Sequence, residues 1–265
     1  MLAGGNCPTG SANVRAVMQR AGLLLLLLGW SGGALAGAGE PPRLVAARTR
    51  ALPAVKALFA KADVPYPPPQ LYVRVFKAQD VLEVWAGKAN APLTLIKSYP
   101  VCARSGGLGP KRMMGDMQVP EGFYEIDRFN PHSAYHLSLG LNYPNASDRA
   151  RSTAKALGGD IFIHGDCVTI GCVPLEDGPV EEVFVTALDT RNAGLRHIPV
   201  HVFPARLDAA GLDQLKAGNP PPDVWLLWNE LAAGYRAFEE TRRLPKVRVD
   251  KTGKYVVTAV QPAGR

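Results

Sequence analysis

The sequence predicts a mainly β fold of the α+β class: a β-sandwich or partly closed barrel with flanking helices and a C-terminal amphipathic helix. Three observations carry this expectation. Between about residues 70 and 204, short segments of alternating apolar and polar residues recur, divided by Gly- and Pro-containing loops. Helical spacing of apolar residues precedes that region and follows it. The chain of 265 residues, finally, is long enough for one large domain with appendages.

The elements follow in order. Arg15 and Arg20 precede the unbroken run Leu23 to Leu28, and Ala34-Leu35-Ala36 supplies small residues where a signal peptidase cuts. Residues 1–36 are therefore read as a cleaved secretory signal, with Met18 as a second start that would give it a more ordinary length. The apolar run falls short of the ~20 residues a membrane span needs, so the expectation is an exported protein without stable membrane insertion. Residues 37–69 read as a helical lead and a Pro-rich linker. Leu52, Val55, Leu58 and Phe59 predict a helix following Pro53, and Pro65 and Pro67 to Pro69 stop it. Residues 70–204 carry the strands. "LYVRVFKAQDVLEVWAG" alternates around a short polar break as two half-buried strands would, and "LTLIKSYPVCA", "GFYEIDRF", "DIFIHG" and "IPVHVFP" add more. "VEEVFVTALDTRNAG" is the exception, a helix ending at Gly194. Residues 205–265 read as an extension. Val224, Leu227, Trp228, Leu231, Tyr235 and Phe238 recur at three- and four-residue steps after a candidate N-cap, Asp223, in a helix running to Pro245. A hairpin then turns at Lys251-Thr252-Gly253.

The formal net charge of +7 falls by the two leader arginines to +5. Export, and the lack of any aromatic-basic RNA motif or paired-cysteine finger, argue against a nucleic-acid partner. An acidic polymer outside the cytoplasm fits better. After the leader three cysteines remain, Cys102, Cys167 and Cys172, an odd number that leaves at least one thiol unpaired. A bridge from Cys102 to Cys167 is open on sequence alone, because spacing does not reveal whether their Cα atoms approach within about 7 Å. His164, Asp166, Cys167 and Cys172 are possible metal ligands, but the paired short spacings of a structural zinc site are missing. Neither a metal nor a cofactor is expected.

The chemistry concentrates in "IFIHGDCVTIGCVPLED", residues 161–177. The strand ends at His164, so the imidazole sits at the rim of the sheet. Eight extended steps would carry Cys172 roughly 26 Å away, so contact with His164 requires the chain to double back. Gly165, Asp166 and Gly171 are residue types that allow such a return. A free thiol with a pKa of about 8.5 is mostly protonated at neutral pH, and a nearby imidazole can take its proton. On this reading Cys172 is a nucleophile, His164 its base, and Gly171 a position where backbone N–H groups can meet a developing oxyanion. The competing reading is a buried structural cysteine beside a satisfied strand-end histidine.

The segment "IHGDCVTIGC" resembles the active-site motif of the L,D-transpeptidase catalytic domain family, also called YkuD-type. In that motif a His-Gly pair precedes Ser/Thr-x-Gly-Cys, here Thr169-Ile170-Gly171-Cys172. The likeness extends to "YPVCARSGGLGPKRMMGDMQVPEGFYEI" and "LNYPNASDRA", covers roughly residues 70 to 260, and is strongest with the YafK-like branch. The resemblance implies that Cys172 attacks an amide beside a diaminopimelate residue in a peptidoglycan stem peptide and forms a thioester. It implies that His164 passes the thiol proton to the leaving amine, and that an incoming amine or water resolves the thioester. Arg104 and Arg149 lie in the similar segments and are candidates to bind substrate carboxylates, with Thr169 of the motif as a third substrate-binding position. Two positions depart from the commoner pattern: Ile170 stands where many members have His, and Pro174 where they have Arg or Asn. Some members of the branch cut links between peptidoglycan and an attached protein. Hydrolysis by an amidase or L,D-carboxypeptidase is therefore the close alternative to transfer, and a noncatalytic wall-binding protein the distant one.

Overall fold

The first helix, α1 (Pro42–Lys61), begins earlier than the sequence predicts and keeps Pro53 inside it. A proline suits the first helical position; one in the interior costs about 3 kcal/mol because it removes a hydrogen bond. Pro53 lies on the exposed face, where water can satisfy the freed carbonyl, while Leu44, Ala47, Ala51, Val55 and Phe59 bury the other face on both sides of it. That burial outweighs the lost bond. The computed structural model describes residues 39–260, so the leader read at 1–36 lies outside the described residues.

Eight strands make one sheet: β1 (Gln70–Phe76), β2 (Val81–Gly87), β3 (Thr94–Pro100), β4 (Gly122–Asn130), β5 (Ser138–Leu141), β6 (Phe162–His164), β7 (Val173–Pro174) and β8 (Pro199–Phe203). Their order is β3-β2-β1-β8-β4-β5-β6-β7. The pairs β1/β8 and β6/β7 are parallel and the rest antiparallel. The Cys102 N–H, just past β3, donates to the Pro174 carbonyl of β7 at 3.1 Å, so the two ends of the strand order come together. The sheet is thus a mainly β, curled half-barrel with flanking helices, as the sequence predicts. Cys102 and Cys167 form a disulfide across this seam, with Cα atoms 5.4 Å apart, the pairing that spacing left open.

The hairpin β1–β2 is more buried than its alternation implies: in each strand every residue but the first is buried. Helices cover both faces. On one side α1 and α3 (Asp177–Asn192, followed by Gly194 at φ +115°) pack on the strands. On the other, Leu227, Trp228, Leu231 and Tyr235 of α5 (Pro222–Thr241) meet Phe76, Phe123 and Phe203. The polar positions of the hairpin are therefore internal. Arg74 pairs with Glu83 at 2.7 Å and with Glu239 of α5 at 2.6 Å, its guanidinium facing the rings of Trp85 and Phe238. Arg74→Met leaves Glu83 and Glu239 short of a partner and is expected to cost about 3–5 kcal/mol, read from the urea midpoint at unchanged slope. Adding Glu83→Gln should recover part of that loss, and a single-variant cost below about 1 kcal/mol, the ceiling for an exposed pair, would show that the ion pair does not hold α5.

Helix α5 starts at Pro222, with Pro221 rather than Asp223 at the N-cap position, and stops at Thr241 where Arg242 turns left-handed. Asp223 sits in the first turn, where its charge suits the helix dipole. Strands β9 (Lys246–Val249) and β10 (Tyr255–Thr258) form the expected hairpin, with Gly253 at φ +85° in the turn. Two short helices lie outside the sequence pattern: α2 (Ala146–Arg151), closed by a capping box between Asn145 and Asp148, and α4 (Ala209–Ala217), capped by Asp208.

Candidate active site

Strand β6 delivers His164, and the chain doubles back to Cys172 as the spacing demanded. The Gly165 N–H donates to the carbonyls of Tyr135 and Leu137 at 3.1 and 3.2 Å, which anchors the end of the strand. Asp166 (φ +62°) and Gly171 (φ +134°) then supply the two left-handed steps of the return. Gly165 is needed for space instead: a Cβ there would stand 2.6 Å from an Asp177 carboxylate oxygen and 2.8 Å from the His136 Cβ. The disulfide at Cys167 ties the middle of this loop to Cys102.

Ile163 pairs with Val173 and His164 with Pro174, in parallel, so Cys172 stands level with Phe162. Residues two apart share a face, which puts His164 and Cys172 on one side of the sheet. One strand across and two residues along is about 8 Å between Cα atoms, a gap the two side chains can close when directed at each other. In this structure they are not bonded. The Cys172 Sγ accepts from the Phe162 N–H at 3.4 Å and donates to the Asp160 carbonyl at 3.6 Å. His164 Nδ1 lies 2.6 Å from its neighbour's carbonyl, Gly165 O. A carbonyl only accepts, so Nδ1 carries the hydrogen and Nε2 the lone pair, the tautomer a base requires. The Tyr135 ring, 5.0 Å away between centroids, packs beside the imidazole.

Burial sets both protonation states. It pushes the Cys172 thiol up from its ordinary value, an effect the Phe162 N–H opposes, and it lowers the imidazole of His164 against the bond to Gly165. At neutral pH the resting pair is thus a thiol and a neutral imidazole, not a thiolate–imidazolium pair.

Thr169 organises the turn that carries Cys172. Its Oγ1 accepts from the N–H groups of Gly171 and Cys172 at 3.2 and 2.8 Å, and its hydroxyl donates to the Cys172 carbonyl at 2.9 Å. The two N–H groups read as oxyanion donors therefore converge on one oxygen, supplied here by Thr169.

Cys172 lines a cavity of about 230 Å³ together with Val75, Lys77, Arg104, Gly106 and Leu108. Arg104 is held by Asp80, another lining residue. Arg149 is exposed on α2 and is not part of this cavity. Cys167, a candidate metal ligand by residue type, is consumed by the disulfide.

Residues 70–202 match the L,D-transpeptidase catalytic domain. The chain belongs to this family. It is 35% identical over 190 residues to the Escherichia coli K12 protein named "Putative L,D-transpeptidase YafK", across 71% of this chain and 74% of that one. Among solved structures it is similar to the helical cell shape determining protein Pgp2 from Campylobacter jejuni, at 18% identity and a TM-score of 0.42 over 68% of this chain and 73% of that one. It is also similar to Bdellovibrio bacteriovorus Bd1075, at 21% identity and a TM-score of 0.37 over 64% and 62%.

Within this L,D-transpeptidase domain the motif glycine has a local reason. A Cβ on Gly171 would lie 3.0 Å from the Gln118 carbonyl, at a φ that side chains rarely adopt. Gly171→Ala is therefore expected to cost about 1–3 kcal/mol of stability and to slow reaction at Cys172 by at least about ten-fold through misplacement of the thiol. Thermal melting and the rate of Cys172 labelling by an electrophile check both; an alanine variant that labels at the wild-type rate would dismiss the strain argument. Tyr135 and Gln118 are neighbours of the site with no distinctive sequence signal, since both reach it through folding of distant loops.

Proposed function

We propose that this protein is an exported cysteine L,D-transpeptidase that acts on peptidoglycan stem peptides through a thioester acyl-enzyme, in building or remodelling the cell wall. The observation that carries the reading is the setting of Cys172. It is the free cysteine among the described residues, it opens on a cavity shared with Arg104, and it lies one strand from a histidine whose Nε2 is unprotonated. The leader at 1–36 supports export, and no helix among the described residues is long and apolar enough to cross a membrane.

In this reading the stem peptide brings its amide carbonyl to Cys172, with Arg104 exchanging Asp80 for a substrate carboxylate. The thiol turns from Asp160 toward His164, gives its proton to Nε2, and attacks the carbonyl carbon. The C–S bond forms, the C–N bond breaks, and the proton passes from the imidazole to the leaving amine. The N–H groups of Gly171 and Cys172 serve the oxyanion when the Thr169 hydroxyl releases them, so Thr169 holds the site ready before substrate arrives. Arg149 meets only a part of the substrate that extends beyond the cavity. An incoming amine then resolves the thioester.

The second reading, hydrolysis of a stem-peptide link or of a link to a wall-attached protein, is favoured by the two departures from the common motif. Ile170 is exposed and Pro174 fills the position paired with His164, so neither offers a polar group to an acceptor. Incubating the purified protein with peptidoglycan and analysing the fragments by mass separates the outcomes. New diaminopimelate-to-diaminopimelate links mean transfer; released monomers or freed protein mean hydrolysis. Unaltered wall fragments together with an unreactive Cys172 would leave a noncatalytic wall-binding protein.

A further inference from the structure

The C-terminal hairpin concentrates the charge of the chain. Residues 242–254 hold six arginines and lysines and one acid, Asp250, and so carry the whole of the +5 that remains when the leader arginines are set aside. Arg242 pairs with Glu239 at 2.7 Å, and Arg243 donates to the Asn90 carbonyl at 2.6 Å. Lys246, Arg248, Lys251 and Lys254 are exposed and form no ion pair among the described residues. Asp250 does not answer them, because its Oδ1 is engaged by the turn itself: it accepts from the Thr252 N–H and hydroxyl and from the Lys254 N–H at 2.8, 2.7 and 3.0 Å.

These cations are held on one fixed face. Successive strand residues point to opposite sides, so Val247 and Val249 of β9 and Val257 of β10 pack toward α5, while Lys246 and Arg248 stand together on the outer side. The turn is seated on α2: the Gly253 carbonyl accepts from Ser147 Oγ at 2.6 Å and from Arg151 Nε at 3.0 Å, and a Cβ on Gly253 would lie 2.7 Å from the Ala150 Cβ. That contact sets Arg149, the exposed neighbour of Ala150, beside the basic turn. Arg248 also lines a cleft of about 360 Å³ with His201, Asn145 and Tyr255. His201 is 4% exposed and its Nδ1 lies 2.6 Å from the Tyr72 hydroxyl. Burial keeps the imidazole neutral by lowering its pKa to about 3. With the hydroxyl donating to Nδ1, Nε2 carries a hydrogen that has no acceptor among the described residues. The carboxylate of this cleft, Glu125, is bonded to His197 at 2.8 Å.

We propose that the β9–β10 hairpin, with Arg149 of α2, is a docking face for the free carboxylates of the wall polymer, separate from the site of Cys172. The inference rests on the proposed function for the identity of the polymer. Peptidoglycan stem peptides that are not cross-linked end in carboxylates and recur along each glycan strand, so the wall presents a spaced array of anions. Five exposed cations from two elements complement such an array. The free Nε2–H of His201 suits a carboxylate or peptide carbonyl that enters beside Arg248. A face built for lipid would place apolar side chains among its cations, and among the described residues no exposed large apolar side chain stands on α2 or on the hairpin. Neither Cys172 nor His164 lines the cleft, so the face holds the polymer and takes no part in the chemistry. Holding it raises the local concentration of wall peptides at the thiol.

Co-sedimentation of the full chain carrying Cys172→Ala with isolated peptidoglycan sacculi tests this, beside acylation of unaltered Cys172 by a soluble stem peptide. Lys246→Gln, Arg248→Gln, Lys251→Gln and Lys254→Gln in one chain remove the hairpin charge. The expected result is sacculus binding weaker by at least about ten-fold with a flatter salt dependence, while the soluble peptide acylates Cys172 at the wild-type rate. Arg149→Gln alone should weaken sacculus binding in the same direction. Conversion of the sacculus carboxylates to amides should erase the difference between the hairpin variants. Unchanged binding by the fourfold variant, binding that survives amidation, or tighter binding to phosphatidylglycerol vesicles than to sacculi at equal salt each overturns the inference. Should the fourfold variant fold poorly, salt titration with the hairpin intact carries the same test, and an affinity indifferent to salt overturns it. Absence of an acyl-enzyme from the soluble peptide, with hairpin-dependent sacculus binding retained, removes the thioester reading and keeps the docking face.

Discussion

On the proposed mechanism His164→Gln is expected to lower the rate of Cys172 acylation by about 10²–10⁴-fold, the usual contribution of a positioned base, and Cys172→Ala to abolish the thioester. The pH profile distinguishes this role from a structural one. Burial lowers the imidazole, so Nε2 of His164 is already unprotonated where an ordinary histidine would be half charged. Acylation should therefore hold as pH falls to 6.5 and fail only below it, as Nε2 takes up a proton. Burial raises the thiol, so spontaneous thiolate contributes little until well into the alkaline range. In His164→Gln the acid limb should vanish, leaving a slow rate that climbs only with thiolate formation. Rapid labelling with a thiol electrophile across pH 5–10 measures both limbs; an acid limb that survives in the glutamine variant assigns the base elsewhere.

Removal of the disulfide should have a large effect on stability. It closes a loop of 65 residues, for which chain entropy alone gives about 4 kcal/mol. Cys102→Ala with Cys167→Ala is expected to lower the urea midpoint by that order and also to loosen the turn that carries Cys172, so that thiol labelling becomes less dependent on His164. Reduction of the wild-type protein should reproduce the shift. A double variant within about 1 kcal/mol of wild type, well under the 2–4 kcal/mol typical of a disulfide, would mean that packing alone holds the seam.

The sequence exposes those parts of the fold that leave a long or chemically distinct trace. The β1–β2 hairpin, the Gly-terminated α3 and the amphipathic α5 are all visible in periodicity and punctuation. Strands β5 and β7 are not, because four residues and two residues are too short to show alternation. Pro53 misplaces the start of α1 because a local breaker rule ignores which face the proline occupies. Alternation in β1 and β2 suggests one wet face, yet Arg74 and Glu83 satisfy each other beneath α5, a tertiary arrangement that no local window contains. At the site, residue types and spacing bring out Cys172, His164 and Gly171, and the family resemblance adds Thr169. What spacing could not supply was the pairing of Cys102 with Cys167, which depends on the curl of the whole sheet, and the separation of Arg149 from the cavity, which depends on how α2 is seated.

The seam at β7 also constrains how a substrate can be held. Peptides often bind enzymes by strand addition, hydrogen-bonding their backbone along an open sheet edge. Here β6 occupies one side of β7, and the Cys102 N–H takes the Pro174 carbonyl on the other. No unpaired ladder is offered along β7 beside Cys172, so on the proposed function recognition comes from side chains and loop amides, and selectivity can be re-tuned there without disturbing the sheet.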